Sequence, residues 1–393
     1  MADAKSPLAI NVTTQIEEQP AAQTEQAPFT EPRRLRFRRP GLSLAAFPAF
    51  VVQFLPYRLQ ARLAEGTTAR RVWTLAWPSV MEQSLVTLIG LVDAYIVGHL
   101  GAAALAGVGL GGQVLNLTAA LFGAVGVGAT ALIARHIGAE EPDEANHLAG
   151  QAMLLAFGIG LSAALICFIF AEGIIRALGA APEVVVTGSA WLRVVAPSFA
   201  LIGVLLVGTA SLRGTGDTRT PLAVMIVVNL VNVGVAWTLT RGLFGLPKLG
   251  VVGTGLGASS GQLIGGLAIL FILLRGRGAL RVRVDARLPT PDLARLRRVL
   301  NIGLPAGAEQ VLLQVALLNL AAIISHFGTP AYAAHQIGLR ISALSFLPGW
   351  GFSVAATTLV GQELGARQPE RARRATYASF LFALAVMSVM GLF

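Results

Sequence analysis

The stretch at residues 73–100, WTLAWPSVMEQSLVTLIGLVDAYIVGHL, decides how the chain is read. It is apolar and long enough to cross a bilayer, whose hydrocarbon core of about 30 Å takes about 20 helical residues. Yet it carries Pro78, Glu82 and Asp93. The pattern returns, without a gap, 227 positions later at residues 300–327, LNIGLPAGAEQVLLQVALLNLAAIISHF. Pro78 falls on Pro305, Glu82 and Gln83 on Glu309 and Gln310, Leu85 on Leu312, and His99 on His326. Asp93 breaks the match, with Leu320 as its copy. The offset continues through a polar loop, where Gly138, Ala139, Pro142 and Ala145 meet Gly365, Ala366, Pro369 and Ala372.

Composition supports a membrane reading. Only 13% of residues are charged, against about 25% in soluble domains, and mean hydropathy is +0.68. Nine spans are predicted, at roughly 73–98, 106–134, 147–171, 190–212, 221–240, 250–274, 299–325, 335–361 and 376–393. The short alternating strands of a membrane barrel are not seen. The fold class is therefore all-α and polytopic, built from two parallel six-helix repeats, of which the second is incomplete. Six spans per unit return the chain to the same side, so the copies are related by an axis along the membrane normal.

Residues 1–71 read as a disordered and basic interfacial tail. Within it, the apolar stretch 41–57 is broken by Pro48 and Pro56 and is expected to lie on an anionic leaflet. Residues 72–274 form the first bundle, 275–298 an arginine-rich linker, and 299–393 three spans of the second bundle. Of 30 Lys and Arg residues, only Arg176, Arg241 and Lys248 fall in loops on the side opposite the tail, and Arg193 and Arg340 fall within spans. This asymmetry places the amino terminus in the cytoplasm and the chain in the cell membrane. The excess of positive charge thus marks topology, and no nucleic-acid partner is expected.

The motifs exclude other chemistries. Gly107–Gly112 spells G-x-G-x-x-G, but inside a span and without a preceding strand, so helix packing explains it. There is no P-loop, and no nucleophile–base pair can be argued, so an enzyme is not expected. The single Cys167 excludes disulfides, and the five histidines lack metal-ligand spacing, so neither a metal nor a cofactor is expected.

These motifs resemble the multidrug and toxic compound extrusion (MATE) family. The resemblance rests on Pro78 with Asp93, on the Gly138–Ala145 loop, and above all on Leu-Arg-Gly-Thr-Gly-Asp-Thr-Arg-Thr-Pro at 212–221. It covers about residues 70–393 and is closest to the proton-coupled, DinF-like branch. It implies a secondary antiporter that exports organic, cationic compounds in exchange for H⁺ or Na⁺. A lipid-linked oligosaccharide flippase of the related superfamily is an alternative. So is a truncated, non-transporting protein, because the equivalents of spans four to six are missing from the second bundle. A monomer is expected.

Asp93 is the expected coupling site, since an acid within a span must face a partner or water and burial disfavours its charge. The resemblance places Asn229 and Asn232 beside it, and usually a further Asp where this chain has Ala236. Pro78 lacks a backbone donor and is the expected hinge. Glu82 lies eleven residues before Asp93 on the same helical face. With its copy Glu309, and with Arg213 and Asp217 in the 212–221 turn, it is assigned to a gate or to structure. Gln113, Asn116, Gln310, Gln314 and Asn319 are the candidate cavity residues.

Overall fold

The computed structural model describes residues 68–276, 280, 282, 291–325 and 329–392. Residues 1–67 of the tail, including 41–57, and residues 277–279, 281 and 283–290 of the linker lie outside them, whereas residues 68–71, read as part of the tail, are the first turn of a helix. The helices are α1 (Thr68–Gly98), α2 (Ala102–Gly138), α3 (Pro142–Ala177), α4 (Pro182–Val195), α5 (Phe199–Gly214), α6 (Arg219–Arg241), α7 (Val251–Arg275), α8 (Leu293–Ser325), α9 (Thr329–Gly365) and α10 (Pro369–Gly391). Seven segments among the described residues are long and apolar enough to cross a membrane, with α4 and α5 counted as one. Helices α8 and α9, of 33 and 37 residues, stand at the other two predicted span positions.

One predicted span differs. The fourth pass begins at Pro182 and is interrupted by a 3-10 turn at Ala196–Ser198. Pro197 lies in that turn and has no N–H to continue the ladder. In contrast, α1 continues unbroken through Pro78.

The core lies among α2, α3, α4, α5 and α7, with Phe122, Leu148, Leu192, Phe199, Leu205 and Ile269 fully or almost fully buried. The α4–α5 pass is mostly buried, whereas α1 is mostly exposed. Helix α5 is thus the internal strut, while α1 lies at the rim, packed on α6 and α9.

The sequence repeat is a repeat of contacts. A Cβ at Gly138 would stand 1.9 Å from the Gln362 carbonyl oxygen, and one at Gly365 would stand 1.9 Å from that of Arg135. Gly138 and Gly365 are 227 positions apart, as are Arg135 and Gln362. A Cβ at Gly303 would lie 2.2 Å from Ala124 O, and one at Gly351 2.9 Å from Ala76 O, again pairs at that offset. Helix α1 therefore meets α9 as α8 meets α2. The turns that follow α2 and α9 share a conformation too: Glu140 has φ 61° and its copy Arg367 has φ 57°.

The described end of the linker is tied to the first bundle. Arg295 donates to both oxygens of Glu144, at 3.1 and 2.9 Å, and also pairs with Asp292. The Asp292 amide donates to Gln151 Oε1 at 2.9 Å.

Candidate functional site

Helix α6 presents Asn229 and Asn232, one turn apart, to α1. Asn232 Nδ2 donates to Asp93 Oδ2 at 3.3 Å, and Asn229 Nδ2 donates to the Leu85 carbonyl at 3.0 Å. Asn232 is 6% exposed. Asp93 Oδ1, Asn229 Oδ1 and Asn232 Oδ1 are buried and accept no hydrogen bond from a described group. Three buried oxygens along the α1–α6 seam are thus left without a partner. Such a set can take a proton or a small cation, whereas buried acceptors left alone are destabilising.

Ala236, one turn beyond Asn232, is fully buried. A Cβ at Gly257 of α7 would stand 2.5 Å from the Ala236 methyl, so α7 seals this position. The absence of a second acid here is matched by a helix contact that leaves no room for one.

The second constellation gathers at the end of the bundle nearest the arginine-rich linker. Arg213 Nη1 donates to Glu82 Oε1 at 2.8 Å, with side chains 19% and 13% exposed. Asp217 accepts from the Thr220 amide at 3.0 Å and from its hydroxyl at 2.6 Å, and so opens α6. Helix α9 reaches the same turn: Thr358 donates to Arg213 O at 2.9 Å and Gln362 to Gly214 O at 3.2 Å. Arg71 of α1 is paired with Glu363 of α9, whose side chain is 9% exposed. Helices of both repeats therefore close this end through polar bonds. Glu363, Thr358 and Gln362 were not singled out by sequence reasoning. An acid in the short Gly361-Gln-Glu-Leu-Gly365 run was the available signal.

The repeat does not give Glu309 the environment of Glu82. Glu309 is exposed, and no ion pair is seen for it among the described residues. It lies two residues, about 200°, from Gly307, whose face of α8 rests on Ala124 of α2. Gln310, Gln314 and Asn319 are also exposed on α8, and Asn319 Nδ2 bonds its own helix at Val315 O, 2.8 Å away. Gln113 and Asn116 are exposed on α2. None of these five is hydrogen-bonded to the Asp93–Asn232 pair. Among the described residues no three His, Cys, Asp or Glu side chains are grouped to hold a metal ion.

The chain is similar to known proteins in sequence and in fold. The probable multidrug resistance protein NorM of Thermotoga maritima is 31% identical over 332 residues, covering 81% of this chain and 69% of the relative. The multidrug resistance protein PmpM of Pseudomonas aeruginosa is 29% identical, covering 83% and 67%. A crystal structure of MATE in complex with MaD3S superposes with a TM-score of 0.76 at 25% identity, over 82% of this chain and 71% of that one. The MatE family model matches residues 78–238 and 305–393, which takes in α1 from Pro78 and most of the α6 seam on one side of the linker and α8 to α10 on the other. This multi-pass membrane chain belongs to the MatE family, the MATE transporters.

Proposed function

We propose that the chain is a secondary antiporter that exports organic, cationic compounds in exchange for H⁺ or Na⁺, with Asp93 as the coupling group. The observation that carries this reading is the Asp93–Asn232 bond at 3.3 Å beside three buried, unpaired oxygens. Protonation turns a carboxylate from an acceptor into a donor. The Oδ1 atoms of Asn229 and Asn232 are the acceptors available on the facing helix. A sodium ion would instead draw on the Asp93 carboxylate and the neighbouring Asn232 Oδ1. Either change alters how α1 is held against α6, and Pro78 is the position at which α1 can flex.

Multidrug export is supported by the relatives, which are named for multidrug resistance. The amino terminus is cytoplasmic in this reading. The bonds joining Arg213, Gly214 and Arg71 to α9 then form the gate that must part when the cavity opens inward. Membrane potential supplies about 2.3 kcal/mol per charge per 100 mV to such a cycle.

Proteoliposomes loaded with a fluorescent organic cation test the reading. An imposed H⁺ or Na⁺ gradient should drive dye movement by the unaltered chain. Gradient-insensitive dye movement, or none in either ion, would remove the antiporter assignment.

A further inference from the structure

The end of α6 away from the linker holds a third, separate constellation. Gly242 caps the helix with φ 70°, a left-handed value suited to glycine. A Cβ there would stand 2.7 Å from Lys248 Cγ, so the lysine stem crosses the helix end. The Leu249 amide donates to Leu239 O at 3.0 Å and returns the loop along the last turn of α6. Residues 242–250 thereby set Lys248 beside Arg241. The Arg241 guanidinium stands 3.8 Å from the centroid of the Trp237 ring. A guanidinium laid on a ring face keeps its N–H edge for an anion.

A cavity of about 440 Å³ opens at this point between the ends of α1 and α6. Ile96, His99 and Leu100 line one side, and Trp237, Arg241 and Lys248 the other. No carboxylate lines it. In the described loops and helix ends on this side of the bundle, the permanent cations are Arg176, Arg241 and Lys248, and two of the three meet here. Two cations on one rim without an acid favour an anion between them. Apart from His99 and Thr240, the walls beside them are the hydrocarbon of Ile96, Leu100 and Leu243 and the Trp237 indole, which favour an anion with an apolar part. The loop beside it is apolar as well: Leu243, which lines the cavity, is 40% exposed, and its neighbour Phe244, with φ 57°, is 92% exposed.

We propose that this cavity binds an anionic amphiphile, with a phosphate or sulfonate head held by Arg241 and Lys248 and its hydrocarbon laid on Trp237, Ile96 and Leu100. A bilayer lipid and a free amphiphilic compound offer the same chemistry. The site is distinct from the Asp93–Asn232 seam and needs no transport to be tested.

The full chain, purified in a neutral maltoside detergent, is titrated with decyl phosphate, and bound copies are counted by native mass spectrometry. One saturable copy is expected. The double variant Arg241→Gln, Lys248→Gln should weaken it about tenfold or more, in line with loss of charge-assisted bonds. Both side chains are exposed, so this variant should fold. The pair Arg241→Lys, Lys248→Arg retains the charges and should retain binding. Phosphatidylglycerol that displaces decyl phosphate identifies a lipid as the occupant; failure to displace it identifies a free amphiphile. No saturable copy, or equal binding in the Gln double variant, would overturn the proposal.

Discussion

Glu82 of α1 and Arg213 at the end of α5 are joined at 2.8 Å, with both side chains largely buried. The bond ties the rim helix that carries Asp93 to the internal strut. Asp93 itself lies eleven residues further along α1, held from α6 by Asn232. One helix is thus fastened at two depths, by an ion pair at one and by a single amide bond at the other.

Breaking the first fastening should destabilise the fold. Glu82→Gln or Arg213→Gln should each cost about 1–3 kcal/mol, between the values for exposed and buried pairs. A double-mutant cycle in thermal unfolding checks this. Additive losses would show that the two side chains do not act on each other.

The glycines at the pseudo-twofold contact should be intolerant of a methyl group. Gly138→Ala and Gly365→Ala each place a Cβ at 1.9 Å from a backbone carbonyl, which cannot yield as a flexible side chain can. Each should lower stability by about 1–3 kcal/mol or more, the range for overpacking. Gly158→Ala, where nothing lies within 4 Å, should be neutral or stabilising. Equal melting temperatures for all three would contradict the contact.

Position 236 should refuse an acid. Ala236→Asp would push a carboxyl against Gly257 of α7 and should destabilise rather than add a second coupling group. The companion variant Asn232→Asp has Asp93 beside it and so places two carboxyls on one seam. Loss of folded yield confined to Ala236→Asp is the expected result. A stable Ala236→Asp protein would show that α7 does not seal the site.

The linker anchor should depend on pH. Glu144, ahead of the apolar part of α3, has its carboxyl held below the usual carboxylate range, first by the Arg295 hydrogen bond and then by neighbouring positive charges. A folded-state value below the unfolded one stabilises above the ordinary carboxylate range, and this contribution is lost as pH falls through the folded value. The melting-temperature difference between the unaltered chain and Glu144→Gln should therefore be present at neutral pH and vanish in acid. A difference that persists or grows in acid would reverse the sign.

Much of the scaffold was legible because hydrophobic length and the 227-residue offset are properties of the chain alone. The copied turns at Glu140 and Arg367 follow directly from that offset. The Arg213–Glu82 bond was not legible, since it joins residues 131 positions apart through two long side chains. Nor was the difference between Glu82 and Glu309. Both turn away from the cross-repeat contact, but α5 covers only the first. The α9 bonds to Arg213 O and Gly214 O lie in the same class, because backbone acceptors carry no residue signature. Ala236 read as a missing acid; packing shows it as a position filled by α7.

The most direct test of the account is proton release on binding a substrate cation. Purified protein in weakly buffered detergent is mixed with a fluorescent organic cation, and the pH change is recorded for the unaltered chain and for Asp93→Asn. With H⁺ as the coupling ion, the account predicts release from the unaltered chain and none from Asp93→Asn, with dye still bound. Equal release from both proteins would show that the titrating group lies elsewhere and that Asp93 is not the coupling site.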